Sequence, residues 1–215
     1  MGATDGKSPI MPEQANVTNL QAAQVDEVSQ VLARAFFDDP MVMYVVPDDE
    51  RRRRSLPWFF RLAARYGDRW GENYTTPGRV AGAAIWLPPG DNITSPMRLI
   101  RLGMLAAPFK FGLPSFMRFL SVTNHLEHLH KRDVPPDHWY LFVLGVDPER
   151  QGQGVGGNII QPVLERADHD RLPCYLETMK ERNVTFYKKH GFEVVIDDQF
   201  KDGPRYWTMK RDPIG

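Results

Sequence analysis

An α/β fold built on a mixed sheet is what this 215-residue sequence predicts, and three features lead to it. Beyond "VPPD" at 134 to 137 the pattern becomes regular. It reads as a strand over 138 to 146, a glycine-rich loop, a helix from about 153 to 169, a strand over 173 to 179, a helix from about 183 to 190, and strands near 192 to 197 and 205 to 210. Strand, helix and strand in that order imply a parallel pair joined by a right-handed crossover. "RVAGAAIWLPPG" at 79 to 90, closed by its Pro-Pro-Gly turn, reads as a strand in a hairpin with the short run near Tyr74, so antiparallel pairing is expected too. The length suits one domain with an adequate core. Residues 1–215 are therefore read as a single unit, with a flexible tail over 1–15.

The first half of the chain is read as helical. Val25, Val28, Val31, Leu32, Ala35 and Phe36 fall near helical spacing, and Pro40 disfavours helix at Asp39, which ends that amphipathic run. A second helix from about Asp49 to Trp70 carries four arginines, 51 to 54, near its start. Adjacent residues point all round a helix, so these cations read as a solvated basic turn with no functional role. Residues 95 to 132 are apolar and basic, are punctuated by Pro108 and Pro114, and read as two or three short helices. In "HLEHLH", His125 and His128 share a helical face at a spacing that a metal could use. No further ligand is nearby in the sequence, so the expectation is a solvated helix end and no metal. Pro162 lies inside the later helix, where it removes one backbone hydrogen bond and should kink the chain.

Composition narrows the function classes. With 27 basic and 27 acidic residues the formal charge is zero, so no global field recruits nucleic acid or an anionic membrane, and neither partner is expected. Cys174 is the single cysteine, which excludes an internal disulfide, makes a thiolate metal site implausible and suits a reducing cytoplasm. No apolar run of about 20 residues exists, and "MGATDGKSPIMPEQ" lacks the apolar core of a signal peptide.

The loop "PERQGQGVGG" at 148 to 157 raises the question of a phosphate ligand. Gly152, Gly154 and Gly157 match G-x-G-x-x-G, and Glu177 lies 20 residues further on, as in a dinucleotide fold. Against that, "DPERQ" separates strand from glycines, and only 38 residues follow Glu177, too few for the remaining strands and helices. A nucleotide phosphate loop fails because no Lys-Ser or Lys-Thr pair follows the glycines. The remaining option is a cradle of successive backbone N–H groups that opens a helix, where the helix N-terminus adds favourable potential for an anion.

Read as a whole, "LGVDPERQGQGVGG" has the form Gln-x-x-Gly-x-Gly after a strand and an Asp-Pro, and "ERNVTFYKKHGF" at 181 to 192 has an Asn, a Tyr four residues later and a Gly-Phe opening the next strand. In both stretches the sequence resembles the GNAT superfamily of N-acetyltransferases. The resemblance covers about 138 to 197, and "HWYLFVLGVDP", "YLET" and "NVTFYKKHGF" look most like the small-molecule branch that contains puromycin N-acetyltransferase. It implies a mixed central sheet flanked by helices, with splayed parallel strands that bind acetyl-CoA as co-substrate. The activity implied is direct transfer to a primary amine of a small molecule, such as an aminonucleoside or other antibiotic, within a ternary complex. A protein or peptide acceptor and a non-catalytic acyl-CoA sensor stay open as alternatives, as do a monomer and a homodimer.

Aminolysis of a thioester needs a neutral amine, a stabilised oxyanion and a proton for the departing thiolate. By the resemblance, free backbone groups at Leu144 and Val146 pair with the pantetheine arm, and backbone groups of Gln151, Gly152, Gln153, Gly154, Val155 and Gly156 take the pyrophosphate. Asn183 orients the cofactor and caps its helix, and Tyr187, a phenol that stays protonated at neutral pH, is the general acid. The N–H near Val146 meets the oxyanion. Glu177, an acid in the apolar strand "CYLET", is the first candidate for base or water holder, and His138 is the second. Cys174, on the same strand, reads as a small packed residue. The acceptor is expected against the N-terminal helices and the 95 to 132 segment. Trp58, Phe59, Phe60 and Trp86 could line an aromatic pocket there, though such spacing more often marks core.

Overall fold

The computed structural model describes residues 17–214, so the tail expected over 1–15 lies outside the described residues. The elements are β1 (Thr18–Asn19), α1 (Val25–Ala35), α2 (Pro40–Val45), α3 (Asp49–Trp70), β2 (Glu72–Thr75), β3 (Gly82–Leu87), α4 (Pro96–Leu102), α5 (Ala107–Phe111) and α6 (Leu113–Asp133). They are followed by β4 (Trp139–Val146), α7 (Val155–Asp170), β5 (Cys174–Thr178), α8 (Glu181–Lys189), β6 (Glu193–Gln199) and β7 (Arg205–Arg211). The strands form one seven-stranded sheet in the order β1-β2-β3-β4-β5-β7-β6. Only β4 and β5 are parallel, and the hairpin near Tyr74 is the antiparallel β2–β3 pair. The sheet is thus mixed and flanked by helices, as expected.

Each face of the sheet buries one set of helices. α7 and α8 cover one face, where Ile159, Ile160, Val163, Val184 and Tyr187 pack on Trp86, Leu141, Leu176 and Met209. α1 and α3 cover the other, where Val28, Leu32, Leu56 and Phe60 pack on Ala83, Ile85 and Val143. Side chains of this size contribute about 1.5–3 kcal/mol each when fully buried. Trp86 and Phe60 are core residues in these layers, whereas Trp58 and Phe59 are only partly buried. At Gly145 helix α1 lies close against the sheet, because a Cβ there would stand 2.6 Å from Leu32 Cδ2.

Four prolines start helices in this chain, while Pro57 and Pro162 lie inside α3 and α7, which run on through them. Pro40, Pro96, Pro108 and Pro114 all occupy first-turn positions, where the missing N–H has no intrahelical partner to lose. The segment read as short helices therefore contains a 21-residue helix, α6, starting one residue before Pro114. Asp39, just past the predicted end of α1, caps α2 by accepting a hydrogen bond from Met41 N at 3.0 Å. The four arginines are not uniformly solvated. Arg52 is 3% exposed, donates to Val46 O at 2.9 Å, pairs with Asp49 at 2.6 Å and lies over the Phe37 ring. Its guanidinium ties the α2–α3 turn together, which corrects the reading of a wholly solvated turn.

Two irregularities shape β4. Its pairing with β5 is confined to Trp139↔Cys174 and Tyr140↔Tyr175, beyond which the two strands part. Its register against β3 steps from Ile85↔Val143 to Trp86↔Leu141, leaving Phe142 as an extra residue. Such a bulge shifts the side-chain alternation, so Leu141 and Leu144, three apart, pack on the same cluster.

Candidate active site

The gap between β4 and β5 organises the site. Asp147 donates its backbone N–H to Ala81 O on the β3 side at 2.8 Å. Alternation along the strand then turns the backbone groups of Val146 and Leu144 the other way, toward the gap. Val146 O is met there by Gln151 Nε2 at 3.1 Å, a side chain from the loop itself. Leu144 and Val146 are thus both on the open edge.

The loop after β4 is braced at its base. Asp147 accepts from Glu149 N at 3.2 Å and pairs with Arg34. Burial opposes the charge of Asp147, but the Arg34 guanidinium and the Glu149 N–H outweigh it and hold the carboxyl below its usual range. Gln153 Nε2 donates to Glu149 O at 3.2 Å. Gly152 and Gly154 have φ of +78° and +79° with open space where a Cβ would be, so conformation rather than crowding demands glycine. Gly154 N-caps α7, and Asn158 N is bonded to Gly154 O at 3.1 Å. The N–H groups of Val155, Gly156 and Gly157 precede that bond and are left without intrahelical partners. A cavity of about 300 Å³, lined by Arg79, Val80, Ala81, Asp147, Glu149 and Arg150, flanks the loop on the β3 side, away from the gap.

Tyr187 packs in the α7–α8 layer with Leu176, and Glu177, the next residue along β5, points to the other face of the sheet. Glu177 accepts from Tyr140 Oη at 2.8 Å. Burial pushes its carboxyl pKa up to about 8, partly countered by the Tyr140 hydrogen bond. The residue is half-buried. Tyr187, 6% exposed, packs edge-on against Phe186 and Phe192. Its hydroxyl is neither hydrogen-bonded within the described residues nor among the polar atoms sealed from solvent. Burial, then the charge of Asp39, pushes its pKa upward, so it remains a proton donor at every physiological pH.

Asn183 is placed differently from expectation. α8 begins two residues earlier, at Glu181, with Lys180 as its N-cap, so Asn183 does not cap the helix. Instead its Nδ2 donates to Thr178 Oγ1 at 3.0 Å, tying α8 to the end of β5.

His138 sits at the closed end of β4 and is 2% exposed. Its Nδ1 lies 2.5 Å from Pro135 O, and because a carbonyl only accepts, Nδ1 carries the proton. Nε2 must then accept from His130 Nε2 at 2.6 Å. Both ring nitrogens are occupied, and desolvation lowers the pKa of His138. His130 itself escaped the sequence reading, although Val122, Leu126 and Leu129 mark the face of α6 on which it lies. It stacks on Tyr175 at 4.6 Å between ring centroids, and burial, then His138, pushes its pKa down to about 3. His125 Nε2 lies 2.9 Å from Tyr206 Oη, and His128 is exposed. Among the described residues, no three His, Cys, Asp or Glu side chains gather as a metal group. Cys174 is fully buried and its thiol is pushed up to about 12, which leaves no thiolate for chemistry.

Asp39 is the second residue that periodicity does not find. It is 7% exposed, with Lys180 Nζ at 3.9 Å, and burial raises its pKa against the pull of Lys180. It brings a carboxylate from the α1–α2 turn within electrostatic reach of Tyr187.

Residues 131–213 match the family model described as an acetyltransferase (GNAT) domain. Over 182 residues the chain is 28% identical to an uncharacterised N-acetyltransferase of Schizosaccharomyces pombe, covering 80% of this chain and 72% of that protein. Among solved structures it resembles one from Corynebacterium glutamicum described as histone acetyltransferase HPA2 and related acetyltransferase, with a TM-score of 0.63, 21% identity and coverage of 93% and 96% of the two chains. It also resembles arylalkylamine N-acetyltransferase 2 of Aedes aegypti, with a TM-score of 0.58, 15% identity and coverage of 91% and 97%. The architecture is the GNAT fold, and the match to a GNAT acetyltransferase domain lies over residues 131–213. The protein is an N-acetyltransferase.

Proposed function

We propose that the protein transfers the acetyl group of acetyl-CoA directly to the primary amine of a small molecule held in a ternary complex. The observation that carries this reading is the opening of β4 from β5 after two paired positions, with Glu177 and Tyr187 on either side and the start of α7 beside it. An open strand edge suits an amide-rich extended arm, which adds to it as a further strand does. Backbone groups of Leu144 and Val146 hold that arm. The unpaired N–H groups opening α7, with the loop from Gln151 to Gly156, suit a pyrophosphate.

Acetyl-CoA, when bound, supplies the activated thioester, and the chain's own groups handle protons and charge. Glu177, once ionised, takes a proton from the incoming ammonium. Tyr187 keeps its proton for the departing sulfur, and the N–H of Val146 meets the oxyanion. Asn183 acts on the cofactor only through the end of β5. With both nitrogens of His138 engaged, the base is assigned to Glu177.

For the acceptor, the motif likeness to the puromycin N-acetyltransferase branch and the fold likeness to an arylalkylamine N-acetyltransferase both favour an amine with an apolar or aromatic part. Half-buried Trp58 and Phe59, with Phe119, support such a pocket on the α3–α6 side. Aminonucleoside antibiotics are one such class. Thiol release from acetyl-CoA against aminonucleosides, arylalkylamines, aminoglycosides, polyamines and short peptides tests this. Turnover with aromatic small amines is expected. Turnover confined to peptides would replace the acceptor class, and stabilisation by acetyl-CoA without turnover on any amine would indicate a sensor.

A further inference from the structure

The exposed apolar residues of this protein are concentrated. Six of the nine large apolar side chains exposed among the described residues, Met97, Ile100, Leu105, Phe109, Leu113 and Met117, fall in one stretch. They recur every three to five positions along α4, the 3-10 turn Met104–Ala106, α5 and the start of α6. Phe109 is 90% exposed and Leu105 68%, so both project outward. The opposite side of α5 is anchored, since Ala107 and Phe111 are buried in the cluster that also holds Phe59 and Val122. The projecting side chains therefore stand on a fixed platform.

Zero net charge conceals a local imbalance at this face. Between Asp91 and Glu127 no acidic residue occurs, while Arg98, Arg101, Lys110 and Arg118 do. Arg98 is held by Asp91 at 2.6 Å and Arg118 donates to Tyr44 O at 2.8 Å. Arg101 and Lys110 are exposed, each directly following an exposed apolar residue, Ile100 and Phe109.

We infer that this face docks on an anionic phospholipid surface. The apolar side chains enter the boundary between headgroups and acyl chains, and Arg101 and Lys110 meet the lipid anions. Three observations favour this occupant. The side chains project instead of lining a groove, which suits a fluid interface better than a rigid partner. A second copy docked symmetrically would bring Arg101 and Lys110 against like charges. No helix among the described residues is long and apolar enough to cross a membrane, so the mode is lying on the surface. The expectation of no membrane partner drew on total charge, which an acid-free stretch inside a neutral chain escapes.

Co-sedimentation of the full chain with vesicles tests the inference, comparing phosphatidylcholine alone with phosphatidylcholine containing roughly one-third phosphatidylserine. Binding is expected on the anionic vesicles, weakening as salt is raised. The double variant Leu105→Ser, Phe109→Ser should reduce it about tenfold or more, since each buried side chain of this size is worth more than a factor of ten. Its thermal midpoint should match the parent, because both positions are exposed. Lys110→Glu should weaken the preference for phosphatidylserine. Failure to bind either vesicle, equal binding to both, or binding untouched by the double variant overturns the inference. So does a concentration-dependent dimer that the double variant abolishes, which would assign the face to a second copy.

Discussion

The two ends of strand β4 differ in nearly every respect. At its start, β5 is paired to it, His138 is sealed, and His130 on the α6 side fills the space, with Tyr175 stacked on it and Tyr140 tilted against it. At its end β5 has moved away, the backbone turns its polar groups into a gap, and the loop that follows carries Gly152 and Gly154 at positive φ. Both ends hold buried titratable groups, yet their polar atoms are used differently. At the closed end both ring nitrogens of His138 are engaged, by Pro135 O and by His130, while Trp139 Nε1 and Tyr175 Oη are sealed in the packing without a partner, out of reach of any ligand. At the open end the Tyr187 hydroxyl and the first N–H groups of α7 have no intramolecular partners, the condition a ligand requires. Burial of an ionisable group is thus no mark of function by itself; burial beside unused polar atoms that are not sealed from solvent is.

Substitutions at the open end should cost activity and those at the closed end stability. The largest effect is expected for Glu177→Gln, which should lower kcat/KM about a thousandfold in a thiol-release assay, within the range of general-base loss. Because burial raises this carboxyl to about 8 and the ionised form is the base, the parent rate should climb with pH through about 8. Glu177→Gln should lack that limb, and an identical profile in both proteins would refute the assignment. Tyr187→Phe should slow turnover about a hundredfold with little change in KM for acetyl-CoA. Full turnover in that variant would mean another proton donor.

At the closed end, His130→Ala should cost about 2 kcal/mol in urea unfolding, since it strips His138 of its partner and opens a void beside Tyr175. kcat of the folded protein should hold. The same pair predicts acid sensitivity. His130 has its folded pKa lowered to about 3, so below the ordinary value of 6.5 the unfolded chain binds more protons, and stability should fall as pH drops from about 6.5 toward 3. His130→Ala should flatten that slope in a pH series of thermal midpoints. The smallest effect is expected for Gly154→Ala. A side chain at φ +79° costs about 1–2 kcal/mol, which should appear as a raised KM for acetyl-CoA when the loop must hold its shape.

The C-terminal half was legible because its information is local. Strand period, helix period and glycine punctuation between Trp139 and Arg211 are carried by neighbours in sequence, and the elements match to within a few residues. Between Asp38 and Asp133 the helix from Asp49 to Trp70 and the β2–β3 hairpin were legible too, but proline misled at Asp39 and over 95 to 132, because it marks both helix breaks and helix starts and only the preceding turn decides which. Asp39 shows the cost. Read as the end of α1, it is in fact the cap of α2 and the carboxylate nearest in effect to Tyr187. Asn183 lost its expected cap role to Lys180 for a similar reason, since helix starts are set by the strand end they follow.

What the amino-acid order by itself determined is the succession of strands and helices, the parallel β4–β5 unit and the glycine loop, all consequences of periodicity and of φ values only glycine adopts readily. The tertiary structure alone decided where β4 and β5 separate, that a bulge at Phe142 puts Leu144 on the face of Leu141, that Arg52 is buried, and that His130 meets His138 while Asp39 acts on Tyr187. The physical reason is range. Periodicity reports which face of an element is apolar, whereas hydrogen bonds, desolvation and charge act between residues that only packing brings together.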